Sequence, residues 1–145
     1  MSTHEVYCSL DICKLLKEAG FDWEVSHWYA DKPDDKELYE DYAEPMNANQ
    51  YMDPYHYYQA FSAPTIEVAQ RWLREVKKMY IEIRRMPKCD LFDRYFTSIA
   101  IMQEPFDTEL RDKNDEIIYI SGKTYEEVKE AAIKKALEII LEKGE

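Results

Sequence analysis

Histidine and carboxylate side chains are the ones in this sequence that could bind a metal or act as an acid and a base. The 145-residue sequence has three histidines, His4, His27 and His56. Asp53 and His56 are close in sequence, and with His27 they could form a metal site or an acid and base for catalysis. The spacing matches no established metal signature. We therefore predict no metal, no cofactor and a His27 that packs in an aromatic cluster, with a small metal-dependent enzyme using His27 and His56 as the alternative.

Other catalytic patterns are missing from the sequence. It has no Gly-x-Ser-x-Gly nucleophile elbow, and Gly20, Gly122 and Gly144 are too widely spaced for a phosphate-binding glycine loop. Cys13 falls on the apolar side of the predicted first helix, which predicts a buried and unreactive thiol. We therefore expect a protein that is not an enzyme and has no catalytic residues.

Acidic residues are concentrated in the first half of the chain. Of the formal net charge of −11, residues 1–63 carry −9 and residues 64–145 carry −2. The segment of about residues 31–60 combines acids, tyrosines and prolines, which predicts a long acidic Tyr-rich loop. Acids interleaved with rigid amphipathic rings suit a basic partner. The residues predicted to contact that partner are Tyr39, Glu40, Asp41, Tyr42, Tyr55, Tyr57 and Tyr58.

Charge and hydropathy also exclude classes of partner. An acidic surface repels nucleic acid and anionic membranes. No segment approaches the ~18 apolar residues of a membrane span. The first residues, MSTHEVYCSLD, lack the basic start and apolar run of a signal peptide. We therefore expect a cytoplasmic protein with neither a nucleic-acid nor a membrane partner.

The elements that position these residues follow from periodicity and capping signals. Ser9 and Gly20 predict the start and stop of a first helix, and Thr124 with Glu127 predicts the capped start of the last one. Period-two alternation predicts a strand from Trp23. In order, the predicted elements are helix, strand, acidic loop, helix, three strands (79–84, 95–102 and 117–120) and helix.

Strands that follow one another without intervening helices favour an antiparallel meander. We therefore predict an α+β fold, with a three- to four-stranded antiparallel sheet covered by three helices. A single domain is expected over residues 1–145, with an α-β-β-β-α unit at about 65–142. The predicted core consists of Leu10, Leu16, Trp72, Leu73, Ile81, Ile83, Ile99, Ile101, Val128, Ala132, Ile139 and Ile140.

Three stretches within the predicted helices carry a resemblance. They are SLDICKLLKEAGF (Ser9–Phe21), APTIEVAQRWLRE (Ala63–Glu75) and TYEEVKEAAIKKAL (Thr124–Leu137). These stretches resemble small uncharacterised proteins of phages, prophages and mobile elements of gut bacteria. The resemblance implies a phage-type accessory protein in the host cell cytosol. It implies no site residues, because the group has no established activity.

A second resemblance is topological. Residues 65–142 end in EAAIKKALEIIL, which resembles the last helix of double-stranded-RNA-binding domains. Those domains depend on a cationic start to that helix. Here the first turn of the helix carries the carboxylates of Glu126 and Glu127, at the place where those domains contact an RNA phosphate. We therefore do not expect RNA binding.

These patterns together predict a non-enzymatic accessory protein that binds a basic host protein surface through its acidic aromatic residues. In the sharpest form of this hypothesis, carboxylates replace phosphates and the protein mimics nucleic acid, occupying the basic groove of a host or defence protein. Two other hypotheses stay open besides the metal-dependent enzyme. The same tyrosines could form the interface of a homo-oligomer, or the acidic face could serve solubility alone.

Overall fold

The structure, a computed structural model, describes residues 6–30, 37–40, 45–50, 59–85, 95–101, 108–111, 114–116 and 118–142. Within these ranges the chain forms helices and short to medium strands. The helices are α1 (Leu10–Ala19), α2 (Ile66–Val76) and α3 (Tyr125–Glu142), with a 3-10 turn at Ala48–Gln50. The strands are β1 (His27–Ala30), β2 (Leu38–Glu40), β3 (Ala60–Ser62), β4 (Met79–Arg85), β5 (Tyr95–Ile101), β6 (Thr108–Glu109) and β7 (Ile120–Gly122).

The predicted α+β class is confirmed. In the described residues, β4, β5, β6 and β7 form an antiparallel sheet of four strands, as predicted. A second antiparallel sheet has the strand order β2-β1-β3 and was not predicted. The chain divides into two compact units, residues 1–68 and residues 69–145, and each unit contains one of the sheets.

Helix α1 begins and ends where the sequence predicted. Ser9 adopts an extended conformation and its side chain accepts a hydrogen bond from the Ile12 amide, which is the usual N-cap arrangement. Gly20 has a φ of 98°, and its amide donates to Leu16 and Lys17 carbonyls. Since only glycine adopts this left-handed conformation without strain, Gly20 ends the helix. Ile12, Cys13 and Leu16 form its buried side, and the helix packs on β3.

The 3-10 turn is tied to the three-stranded sheet by Asn49. The Asn49 side chain accepts a hydrogen bond from the buried Ser62 amide at 2.8 Å and donates to the Phe21 carbonyl at 2.9 Å. The Asn49 amide in turn donates to the Ser62 hydroxyl at 3.0 Å. These bonds join β3, the turn and the end of α1 into one network.

The second unit packs α3 against one face of its sheet. Strands β4 and β5 pair along seven residues each, from Met79 with Ile101 to Arg85 with Tyr95. Helix α3 contacts β4, β5 and β7. Its first turn is capped by Thr124, whose hydroxyl accepts from the Glu127 amide at 3.1 Å, which is the N-cap bond of the predicted capping box.

Most of the predicted core is buried. Eight of the twelve residues have buried side chains, including the predicted anchor Trp72, which is 1% exposed. The other four, Leu10, Ile83, Ile101 and Ile140, are half-buried. Strand β2 lies inside the segment predicted to be a loop, which corrects that prediction. Its three residues are too few to show the alternation by which a strand is recognised.

Candidate functional site

Two of the seven predicted contact residues, Tyr39 and Glu40, lie on β2 at the edge of the three-stranded sheet. The Tyr39 ring stacks on Trp28 of β1, with centroids 4.7 Å apart and planes at 21°. These residues are also register partners, so the stack is a cross-strand pair on one face of the sheet. Both residues are half-buried.

Glu40 lies on the opposite face, in register with His27. Its side chain is exposed and forms no ion pair with any described residue. Glu37 is exposed as well and directly precedes β2. The β2 edge therefore presents an aromatic stack on one face and the Glu40 carboxylate on the other.

His27 contacts Ser26, which directly precedes β1, and Tyr7, which precedes α1. Its ring lies 4.1 Å from the Tyr7 ring, and its Nδ1 is 2.9 Å from the Ser26 hydroxyl. His56 and Asp53, the other members of the predicted alternative site, lie outside the described residues. Within the ranges described, no group of three His, Cys, Asp or Glu side chains could hold a metal ion.

The other five predicted contact residues lie outside the described residues; they are Asp41, Tyr42, Tyr55, Tyr57 and Tyr58. The structure therefore brings together Tyr39, Trp28 and the flanking carboxylates. Trp28 was predicted only as a strand residue, although its position opposite an aromatic residue on a neighbouring strand is typical of a surface platform.

Two pockets in residues 1–68 were not predicted. One, of about 260 Å³, is lined mainly by apolar groups and by the Glu24, Ser26 and Thr65 side chains. The other, of about 350 Å³, is lined by Lys14, Lys17, Glu18, Gln59 and Phe61. The i, i+3 spacing of Lys14 and Lys17 makes them neighbours on α1, but no sequence pattern indicates the pocket beside them.

An exposed aromatic face in the second unit also escaped prediction. On the side of the sheet away from α3, Tyr80 is 44% exposed and Tyr119 is 62% exposed. Tyr119 stacks on Phe96 at a centroid distance of 5.9 Å. Period-two alternation in 79–84 places Tyr80 on the outer face, but the pairing of Phe96 with Tyr119 depends on sheet register, which the sequence does not show.

The predicted burial of Cys13 is confirmed. Cys8 and Cys13 are both fully buried, and the Cys13 thiol lies 3.6 Å from the Cys8 carbonyl oxygen. Burial raises the pKa of the Cys13 thiol well above its usual range, and the neighbouring Cys8 raises it further. Because the thiolate is the reactive form, we expect Cys13 to react slowly in the folded protein.

We accordingly expect a Cys89→Ser variant, which retains Cys8 and Cys13, to be inert toward a water-soluble disulfide reagent. Unfolding in denaturant should make both thiols react, because it removes the burial that keeps Cys13 protonated. Absorbance of the released thiolate measures both rates. Rapid reaction of the native variant would contradict the burial of this pair.

Comparison with known proteins adds no further assignment. No protein-family model matches the chain, and no match was found among curated proteins or solved structures. No helix in the described part of the chain has the length and apolar character needed to cross a membrane. The α+β fold and the β2 edge are therefore the observations on which a function must be argued.

Proposed function

We propose that the protein is a non-enzymatic, phage-type accessory protein that binds an extended basic segment of a host protein at the β2 edge. The observation that carries this proposal is the Trp28–Tyr39 stack on an edge strand, with the exposed Glu40 carboxylate on the opposite face. A partner that places Lys or Arg there gains cation–π and ionic contacts together.

The edge position of β2 supports an extended partner. Among the described residues, β2 pairs with β1 alone, which makes it an edge strand within that part of the chain. Side chains of an added strand alternate between the two faces of a sheet. Successive basic side chains would therefore meet the Tyr39 side and the Glu40 side in turn.

The charge of the surrounding chain supports a basic partner over an acidic or neutral one. Residues 1–63 carry a net charge of −9, and the exposed Glu24 and Glu40 form no ion pair with described residues. Such a field accelerates the approach of a cationic partner and weakens as salt is added. In the sharper form of the proposal, these carboxylates take the place of nucleic-acid phosphates in a basic groove.

The proposal is tested with a labelled extended peptide that carries arginine at alternate positions, followed by fluorescence anisotropy at several salt concentrations. Tyr39→Ala and Glu40→Gln are each expected to weaken binding by roughly tenfold, because a cation–π contact and an ion pair are lost. The affinity should also fall as salt rises. A peptide with glutamine in place of arginine should not bind.

Matched controls lie in the other sheet. Tyr80→Ala removes an exposed tyrosine from the edge strand β4, and Glu109→Gln removes an exposed carboxylate from β6. Neither should change the affinity of the peptide.

Pull-down from host lysate should then capture a protein in a salt-sensitive manner. If salt and the β2 substitutions do not change the amount of protein captured, the proposal is contradicted. Size-exclusion chromatography with light scattering tests the alternative that the protein associates with itself.

A further inference from the structure

Residues of two isolated antiparallel bridges line the pocket of about 260 Å³ in the first unit. Tyr7 pairs with Thr65, and Val25 pairs with Met46. Three of these four residues border the pocket, and backbone hydrogen bonds of 2.8 to 3.0 Å hold both bridges. The walls are therefore fixed before a ligand arrives, which reduces the conformational freedom that is lost on binding.

The lining of this pocket is poor in hydrogen-bond donors. Ala63, Val25 and Pro64 are buried, and the amides of Ala63 and Val25 already donate to protein carbonyls at 2.9 Å each. Pro64 and Pro45, which also line the pocket, have no amide proton. Since an anion is bound through N–H groups, this described part of the lining offers an anion little.

The lining offers acceptors and negative charge instead. Among the described residues that line the pocket, Glu24 alone is charged; it is exposed and forms no ion pair with a described residue. The Ser26 hydroxyl lies 2.9 Å from Nδ1 of His27. The Thr65 hydroxyl accepts from the Val68 amide at 3.2 Å. A hydroxyl oxygen has two lone pairs, so both hydroxyls can also accept from a ligand.

We propose that this pocket binds an alkylammonium group, with the ammonium at Glu24 and the alkyl stem against the apolar lining. An ammonium has three N–H donors and no acceptor, so it suits a lining that is rich in acceptors and poor in donors. The Tyr7 ring adds an aromatic surface of the kind that attracts cations. The proposal does not depend on the function proposed for the β2 edge.

The probe for this site is n-pentylammonium chloride. It replaces sodium chloride at constant ionic strength in a solution of the full-length protein, with amide shifts followed by NMR. We expect saturable shifts centred on Tyr7, Val25, Ser26 and Thr65. Methylammonium should bind roughly tenfold more weakly, because it has four fewer methylene groups to bury. The uncharged 1-pentanol should give no saturable shifts.

Glu24→Gln should weaken the binding of n-pentylammonium by roughly fivefold or more, since it removes the charge and keeps the shape of the side chain. Glu18→Gln is the matched control, because Glu18 is another exposed glutamate of the first unit and does not line this pocket. It changes the net charge equally and should bind the probe as the wild type does. Tyr39→Ala should also leave this binding unchanged, which separates the pocket from the β2 edge.

A second probe identifies the source of the ammonium group. Nα-acetyl-lysine methylamide presents the ammonium as a lysine residue does, so its binding assigns the site to a protein side chain. Binding of n-pentylammonium alone assigns the site to a free amine. The proposal is overturned by absent or non-saturating shifts with n-pentylammonium, by equal effects of Glu24→Gln and Glu18→Gln, or by 1-pentanol that binds as tightly as n-pentylammonium.

Discussion

Replacing Asn49 with alanine is expected to lower the free energy of unfolding by about 3 kcal/mol. The substitution removes the acceptor of the Ser62 amide and the donor to the Phe21 carbonyl. Ser62 is fully buried, so its amide would lose its partner in a place that water reaches poorly. Urea unfolding followed by tryptophan fluorescence measures the change.

Two further variants separate the contributions of this network. Asn49→Asp keeps an oxygen for the Ser62 amide but loses the donor to Phe21, so we expect an intermediate loss of about 1–2 kcal/mol. Asn47→Ala is the control. The Asn47 side chain accepts only from the Asn49 amide, which also donates to the Ser62 hydroxyl. A loss for Asn49→Ala no larger than the ~0.5 kcal/mol typical of surface substitutions would contradict the bracing role.

The hydrogen bonds of Asn49 are a feature that the sequence did not predict. The predictions that the structure confirms depend on neighbouring residues: Ser9 caps the helix that it precedes, and Gly20 ends the same helix. The bonds of Asn49 reach residues 13 and 28 positions away. The sequence MNANQ has no feature that identifies those partners, and its turn was included in the acidic loop. Partners set by the folded backbone cannot be derived from local patterns.

Strand length explains why the sequence predicted some strands and missed others. Strands β4 and β5 have seven residues each, long enough for alternation to predict them. Strands β2 and β3 have three residues each, and β3 is buried along its whole length, so it shows no alternation. The Trp28–Tyr39 stack exists only because β1 and β2 pair in one particular register. The candidate site was therefore predicted by composition at Tyr39 and Glu40, and its geometry was not predicted.

The connection from β7 to α3 depends on Gly122, whose role the sequence did not indicate. Gly122 ends β7, directly before the loop that leads into α3. A Cβ atom at this position would lie 2.8 Å from Cγ2 of Val128, which is closer than side-chain carbons pack. Val128 is fully buried on α3, so it has little room to move away. Gly122 thus permits the close approach of β7 and the first turns of α3.

Gly122→Ala is accordingly expected to lower the free energy of unfolding by about 2 kcal/mol through overpacking. Val128→Ala removes the opposing methyl groups and should cost a similar amount by leaving a cavity. In the double variant the alanine methyl at position 122 has space, so the combined loss should be smaller than the sum by roughly 2 kcal/mol. Urea unfolding of all three variants gives this coupling, with exposed Lys123→Ala as a control that should have little effect. Strictly additive losses would mean that the backbone, and not Val128, yields to the new methyl group.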